Sequence, residues 1–295
     1  MAHSIFSMTA DYKFNVGDLP PEHRPDPVYD KLFPYYVEVC ALSQFRGKDQ
    51  DAGGIPGHMV MYLHGACLDP KAHYPQLCLC EDAETDQTGV GVTVNRYIKN
   101  ANWIAFPGRA LFFEGNLGPD DRVTKEAVDT VVQQAIDMGL YEGLKMLDDV
   151  KEKNLPDFVR AESVGTDFAL TFARSIFSVQ VPVTKAMMQE MILLLNDLNN
   201  QYKTGEKDYH WDGLHDNCAH VAHNALAAAS VWPPTEVGGK RLRHNIAIPA
   251  NEYLNLVTRT AEFPLEDFQA ILKDEEARDT LLEFGWLPAH HGALI

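Results

Sequence analysis

The sequence has little positive charge for its length. Its 295 residues include 25 lysines and arginines against 42 aspartates and glutamates, which gives a formal net charge of -17. A surface this negative repels phosphate backbones and anionic lipid headgroups, so neither nucleic acid nor a membrane surface is an expected partner. The densest basic cluster, Lys240, Arg241 and Arg243, is too short to reverse this field locally.

Long hydrophobic runs and evenly spaced cysteines are also lacking. No apolar stretch approaches the roughly 20 residues that cross a bilayer, and the first residues show no basic segment followed by an apolar run. We therefore expect no membrane span, no secretory signal and a cytoplasmic protein. The cysteines are odd in number and irregular in spacing, which does not predict a disulfide framework. They are Cys40, Cys67, Cys78, Cys80 and Cys218.

The composition is that of a globular protein, with 45% hydrophobic and 23% charged residues. Residues 1–34 are rich in proline and acidic residues, which predicts an irregular arm, and residues 35–295 are expected to form one domain. Short β-branched and aromatic segments predict strands over 36–42, 58–63, 76–80, 91–95 and 109–113. Strands grouped before helices indicate the α+β class.

Helices are predicted where apolar residues recur at spacings of three and four. One such face runs from Val128 to Ile136 within a helical insertion at about 122–175, and another follows a capping Thr184 as far as Tyr202. A strand is predicted over 176–183. Further helices are predicted over 139–151, 163–175, 216–229, 251–258 and 264–284, the last two forming a helical C-terminal extension.

Cys218 lies at the predicted start of a helix, just after Asp216 and Asn217. Free N–H groups and the helix dipole favour negative charge there, so this position favours the nucleophilic thiolate. Ala222, Ala225 and Ala229 share its helical face, and side chains this small let the helix lie close to a sheet. The alternative is a buried cysteine that only packs in an alanine-rich helix.

His58 follows the turn-forming segment Gly54-Ile55-Pro56-Gly57 and opens an apolar strand. By alternation it shares one strand face with Val60 and Tyr62, while Met59 and Met61 face the other way. A histidine held there suits a catalytic base, and the alternative is a core histidine with a satisfied hydrogen bond.

A base of this kind needs a partner for its other ring nitrogen. We take His73 as the candidate for this role, since a tight hairpin at Gly65 would return it to His58. Glu38 and Asn95, on other predicted strands, remain open as alternatives.

These segments together resemble the circularly permuted branch of the papain-like fold, which includes lecithin:retinol acyltransferase-like enzymes and relatives of bacterial cell-wall peptidases. They also resemble the bacterial family termed domain of unknown function 4105. The resemblance rests on Gly57-His58 opening a strand and Asn217-Cys218-Ala219-His220 opening a late helix, with Val181-Pro182-Val183-Thr184 before it. It covers about 45–95 and 180–230.

The resemblance implies an antiparallel sheet packed against the cysteine-bearing helix, with extra helices. It also implies a Cys218–His58 pair that transfers acyl groups, but it does not identify a substrate. Attack by a thiolate on an acyl carbon suits an amide, ester or thioester, so we expect a peptide, amide or acyl substrate. The long insertion at about 122–175 departs from the pattern, as does the lack of a clearly placed third polar residue.

Two other classes of function compete with this interpretation. His215, His220 and His223, with Asp216 and Cys218, form a ligand-rich cluster that would suit a metal-binding protein. A non-catalytic binding module of the same fold is the other. The sequence has neither a glycine-rich phosphate loop nor a Gly-x-Ser-x-Gly motif, and no cofactor or metal is expected for the cysteine enzyme.

Overall fold

The computed structural model describes most of the chain from Phe33 to Val257. The described residues are 33–42, 57–81, 89–115, 123–148, 150, 153–172, 176–232, 248–257, 273 and 275. The predicted arm at 1–34 lies almost entirely outside them, and so does nearly all of the helix predicted over 264–284. Every helix in these ranges is too short or too polar to cross a bilayer.

A five-stranded antiparallel sheet forms the centre of the protein, in the order β6-β5-β2-β1-β7. Neighbouring strands pair in register, with Leu42 opposite both His58 and Ile176. The sheet with its surrounding helices confirms the α+β class. The strands are β1 (Tyr36–Leu42), β2 (His58–His64), β5 (Gly89–Thr93), β6 (Ile104–Pro107) and β7 (Ile176–Pro182).

A separate two-stranded sheet is formed by β3 (Ala66–Leu68) and β4 (Leu77–Leu79). Cys67 lies opposite Cys78 and forms a disulfide with Cys80, which the cysteine pattern did not predict. The thiols of Cys40, Cys78 and Cys218 are free of disulfides.

In the described ranges up to Val257, five α-helices surround the central sheet, and a π-helical turn covers Ala110–Glu114. Thr184 caps the third helix by accepting a hydrogen bond from the Met187 N–H, as predicted. The helices are α1 (Lys125–Asp137), α2 (Leu155–Glu162), α3 (Lys185–Asn200), α4 (Cys218–Ala228) and α5 (Pro249–Val257).

The two faces of the sheet bury separate hydrophobic cores. Met59, Met61 and Leu63 of β2 pack with α3, α4 and α5 in one core, whereas Val60 and Tyr62 join the π-helical turn, α1 and α2 in the other. The predicted alternation along β2 is therefore confirmed. The alanine face of α4 lies against β2 and β5, which brings the start of this helix to one end of the sheet.

Several predicted elements have a different structure. Residues 109–113 form part of a π-helical region and not a strand, because a run that is buried on all sides carries no period to separate the two. Turns replace the helix predicted over 139–151, where Gly139 and Gly143 have positive φ. The described part of the helix predicted over 163–175, residues 163–172, also consists of turns and isolated bridges. Gly165 and Ala169 have positive φ there, and α2 ends at Glu162.

Candidate active site

Cys218 is the first residue of α4, and Asn217 is the cap. The Asn217 Oδ1 accepts hydrogen bonds from the Ala219 N–H (2.8 Å) and the His220 N–H (3.2 Å). The Asn217 side-chain amide also donates to the Gly213 carbonyl at 2.8 Å, which ties the helix start to the preceding loop. The cysteine is therefore held rigidly at the positive end of the helix dipole.

The Cys218 sulfur lies against the beginning of β2. The Met59 backbone N–H donates to Sγ at 3.4 Å, and the side chain is 7% exposed. This donor stabilises negative charge on the sulfur. Met59 N belongs to the peptide that joins it to His58, so bond geometry places Sγ within about 7 Å of the His58 Cβ. Both side chains line one cleft.

His58 is oriented by a hydroxyl on the neighbouring strand. Its Nε2 lies 2.8 Å from Thr93 Oγ1, and this Oγ1 lies 3.3 Å from Asp167 Oδ1. The Thr93 hydroxyl donates its single proton to Asp167 Oδ1, so it accepts from His58 Nε2–H. The lone pair of the imidazole is then on Nδ1, which is the tautomer that a base needs.

Asp167 is fully buried behind this pair. Its Oδ2 accepts a hydrogen bond of 2.5 Å from the Asn95 side-chain amide, which also donates to Ser163 Oγ at 3.3 Å. Burial and, to a smaller extent, the Asp167 carboxylate raise the pKa of Tyr141 well above its ordinary value. His58, Thr93, Asp167 and Asn95 thus form one continuous polar network at the end of the sheet.

The structure does not bring His73 to His58. No hairpin returns along β2 after Gly65, because β2 pairs with β1 and β5 while β3 pairs with β4. His58 opens β2 and His73 lies beyond its other end, at a separation set by a strand about 20 Å long. The His73 side chain is exposed and does not line the cleft.

The two alternatives for the third residue have different positions. Glu38 is buried and accepts a hydrogen bond of 2.7 Å from Arg109 Nη2. Burial lowers the pKa of Arg109, but Glu38, together with Tyr36 and Tyr62, raises it above its ordinary value. Glu38 does not line the cleft, whereas Asn95 does and contacts the network through Asp167.

Sequence analysis did not single out Thr93 or Asp167. Thr93 could have been found from strand alternation, since it shares a face with Asn95 two residues later. Asp167 falls within the helix predicted over 163–175, a prediction that gives it no role at the site. In the structure it lies in a turn that follows α2.

The cleft beside Cys218 has a volume of about 450 Å³. This falls in the size range of small-ligand sites, which is about 300–1,000 Å³. His58 and Cys218 line it together with aromatic and charged side chains, among them Tyr97, Trp211, Arg96 and Arg160. A substrate group in the cleft would lie beside both the sulfur and the imidazole.

The histidines of the possible metal cluster have separate partners. His215 is exposed and lies 2.9 Å from Asp212 Oδ2, while His220 Nδ1 accepts the Asn217 N–H. His223 Nδ1 lies 3.0 Å from Glu252 Oε2. Within the described ranges, no three His, Cys, Asp or Glu side chains are grouped to hold a metal ion.

Comparison with known proteins yields no relative: no family model, curated protein or solved structure matches the chain. The site is therefore interpreted from its geometry.

Thr93→Val tests whether this hydroxyl orients His58. Valine keeps the shape of the side chain but removes both hydrogen bonds, so we expect the free energy of unfolding to fall by about 1–3 kcal/mol. We also expect the alkylation rate of Cys218 to fall by about 3- to 10-fold, because the imidazole loses its fixed orientation. Urea unfolding and timed alkylation measure the two effects.

Thr130→Val on the exposed face of α1 is the matched control, for which we expect a change in stability within about 0.5 kcal/mol. If Thr93→Val lowers stability but leaves the alkylation rate of Cys218 unchanged, Thr93 has no orienting role.

Proposed function

We propose that this protein is a cysteine-dependent hydrolase or acyltransferase whose nucleophile is Cys218 and whose base is His58. The observation that carries the proposal is the hydrogen bond from the Met59 N–H to the Cys218 sulfur, because it joins the cysteine helix to the residue next to His58. The antiparallel sheet and the cysteine-bearing helix also support a permuted papain-like core for the fold.

The proposed reaction begins with attack of the Cys218 thiolate on the acyl carbon of an amide, ester or thioester. A carbon–sulfur bond forms and the carbonyl becomes a tetrahedral oxyanion, which the N-terminal end of α4 favours electrostatically. When the oxyanion collapses, the bond to the leaving group breaks and the protonated His58 gives that group its proton.

The product of this step is a thioester between Cys218 and the acyl group. His58 then takes a proton from water, or from an acceptor alcohol, amine or thiol, as that molecule attacks the thioester. Water completes a hydrolase cycle and the other acceptors complete an acyltransferase cycle. Either reaction returns the thiolate and the imidazolium.

Selective alkylation tests the nucleophile without knowledge of the substrate. At about pH 6 an ordinary thiol, with a pKa near 8.5, is only about 0.3% ionised, so we expect iodoacetamide to modify Cys218 at least about 30-fold faster than the other free thiols. Burial and the nearby Glu38 raise the pKa of Cys40. Burial, and to a smaller extent the negative charges of Asp69 and Glu81, raise the pKa of Cys78. Peptide mass spectrometry over time measures all three rates.

Cys78→Ala is the control variant, since it removes a competing thiol outside the cleft and should leave the Cys218 rate unchanged. If Cys40 or Cys78 is modified before Cys218, Cys218 is a packing residue and not the nucleophile. The protein would then be a non-catalytic binding module.

A further inference from the structure

The charged side chains that line the cleft differ in whether they are compensated. Arg160 donates to Asp129 at 2.7 Å and to Asp157 at 3.0 Å, so two carboxylates offset its charge. Glu162 pairs with Lys153 at 2.5 Å. Neither residue therefore leaves a net positive charge at the cleft.

Arg96 differs from both. It is exposed, and its guanidinium lies 4.7 Å from the centroid of the Tyr97 ring and donates to the Tyr97 hydroxyl. In the portion of the chain that the structure describes, no carboxylate forms an ion pair with it. Among the described residues, Arg96 therefore brings a positive charge without a paired carboxylate, together with its remaining N–H donors, to the cleft of a protein whose net charge is -17.

The aromatic walls indicate what kind of anion fits this position. Tyr97 holds the guanidinium plane, and Trp211, which is 40% exposed, lines the same cleft. Aromatic side chains favour contact with an organic group over a small hydrated ion. A guanidinium matches the geometry of a carboxylate. A single arginine on an acidic protein also favours one negative charge over the two of a phosphate monoester.

We propose that Arg96 binds a carboxylate of the acyl substrate and makes the cleft selective for anionic over neutral substrates. This inference rests on the proposed function, since Cys218 is the residue that reacts with the bound substrate. The carboxylate belongs to the part of the substrate that lies along Tyr97, and the reacting carbonyl lies beside the sulfur.

Two alkylating reagents that differ in one group test this inference. Iodoacetate carries a carboxylate where iodoacetamide carries a neutral amide, and both modify a thiol by displacement of iodide. We expect Arg96→Met to lower the iodoacetate rate at Cys218, relative to the iodoacetamide rate, by about 3- to 10-fold. The effect should shrink between about 0.05 and 0.5 M salt, because exposed charges are screened. Rates at free cysteine give the intrinsic ratio of the reagents.

Arg160→Gln is the matched control, since it removes one positive charge from the same cleft but leaves Arg96 in place, and so measures the general effect of charge at the cleft. We expect it to lower the ratio less than Arg96→Met does, and Arg96→Glu to lower the ratio further than Arg96→Met. If the ratio of the iodoacetate rate to the iodoacetamide rate is equal in wild type and Arg96→Met, or depends on Arg160 instead, Arg96 does not bind the carboxylate. That result would leave the proposed nucleophile unaffected. Failure of both reagents to modify Cys218 overturns the proposed nucleophile and this inference with it.

Discussion

Cys218→Ala is expected to abolish acyl-group turnover by at least about 1,000-fold, because alanine cannot form the thioester. The measurement is a screen of amide, ester and thioester substrates with the wild type and the variant side by side. We expect thioesters and activated esters to give the fastest turnover, since their leaving groups need the least help from His58. Under the proposal for Arg96, substrates with a carboxylate should react faster than their neutral analogues.

Cys78→Ala is the control for this screen as well, since Cys78 is a half-buried thiol outside the cleft. It should retain wild-type turnover. Equal turnover of one substrate by the wild type and Cys218→Ala would show that Cys218 is not the nucleophile.

Asn199→Leu is expected to lower the free energy of unfolding by about 4–6 kcal/mol, because it leaves four buried backbone groups without a partner. Asn199 lies near the end of α3 and is fully buried. Its Oδ1 accepts the N–H groups of Asn102 (2.8 Å) and Trp103 (3.1 Å), and its amide donates to the carbonyls of Pro75 and Trp103, each at 3.0 Å. Leucine has the same number and branching of side-chain heavy atoms as asparagine but satisfies none of these groups.

Asn200→Leu is the matched control for stability, since Asn200 is the exposed neighbour and accepts only from the Gln76 side chain in the described structure. We expect a change within about 0.5 kcal/mol. Urea unfolding followed by circular dichroism gives both values. A loss below about 1 kcal/mol for Asn199→Leu would mean that water replaces the lost partners.

The elements that carry the reacting groups could be predicted because their patterns are local. Strand alternation at His58 and the Asn217 cap before Cys218 depend on a few adjacent residues, and the structure has both. The orienting network could not be predicted in the same way. Thr93 and Asp167 are 74 residues apart and meet only because β5 lies beside β2 and the turn after α2 folds over the sheet. The prediction of His73 depends on a hairpin at Gly65 that would return the chain along β2. In the structure β2 pairs with β5, and β3 pairs with β4.

The charge at the cleft also could not be predicted from the sequence, because it depends on contacts between distant residues. The sequence has a net charge of -17, which predicts a poor site for anions. Whether one arginine keeps its charge depends on which carboxylates fold next to it, and Asp129 and Asp157 lie beside Arg160 and not beside Arg96.

The dependence of Cys218 alkylation on pH tests the central claim, that Cys218 and His58 form a thiolate–imidazolium pair. In the wild type we expect the rate to change by less than about 3-fold between about pH 6 and 8, because the imidazolium stabilises the thiolate and the thiol is already ionised at the lower pH. In His58→Ala we expect the rate to fall about 10-fold for each pH unit below about 8, as for an unassisted thiol. A wild-type rate that falls in the same way as the variant's would contradict the pair and leave Cys218 an ordinary buried cysteine.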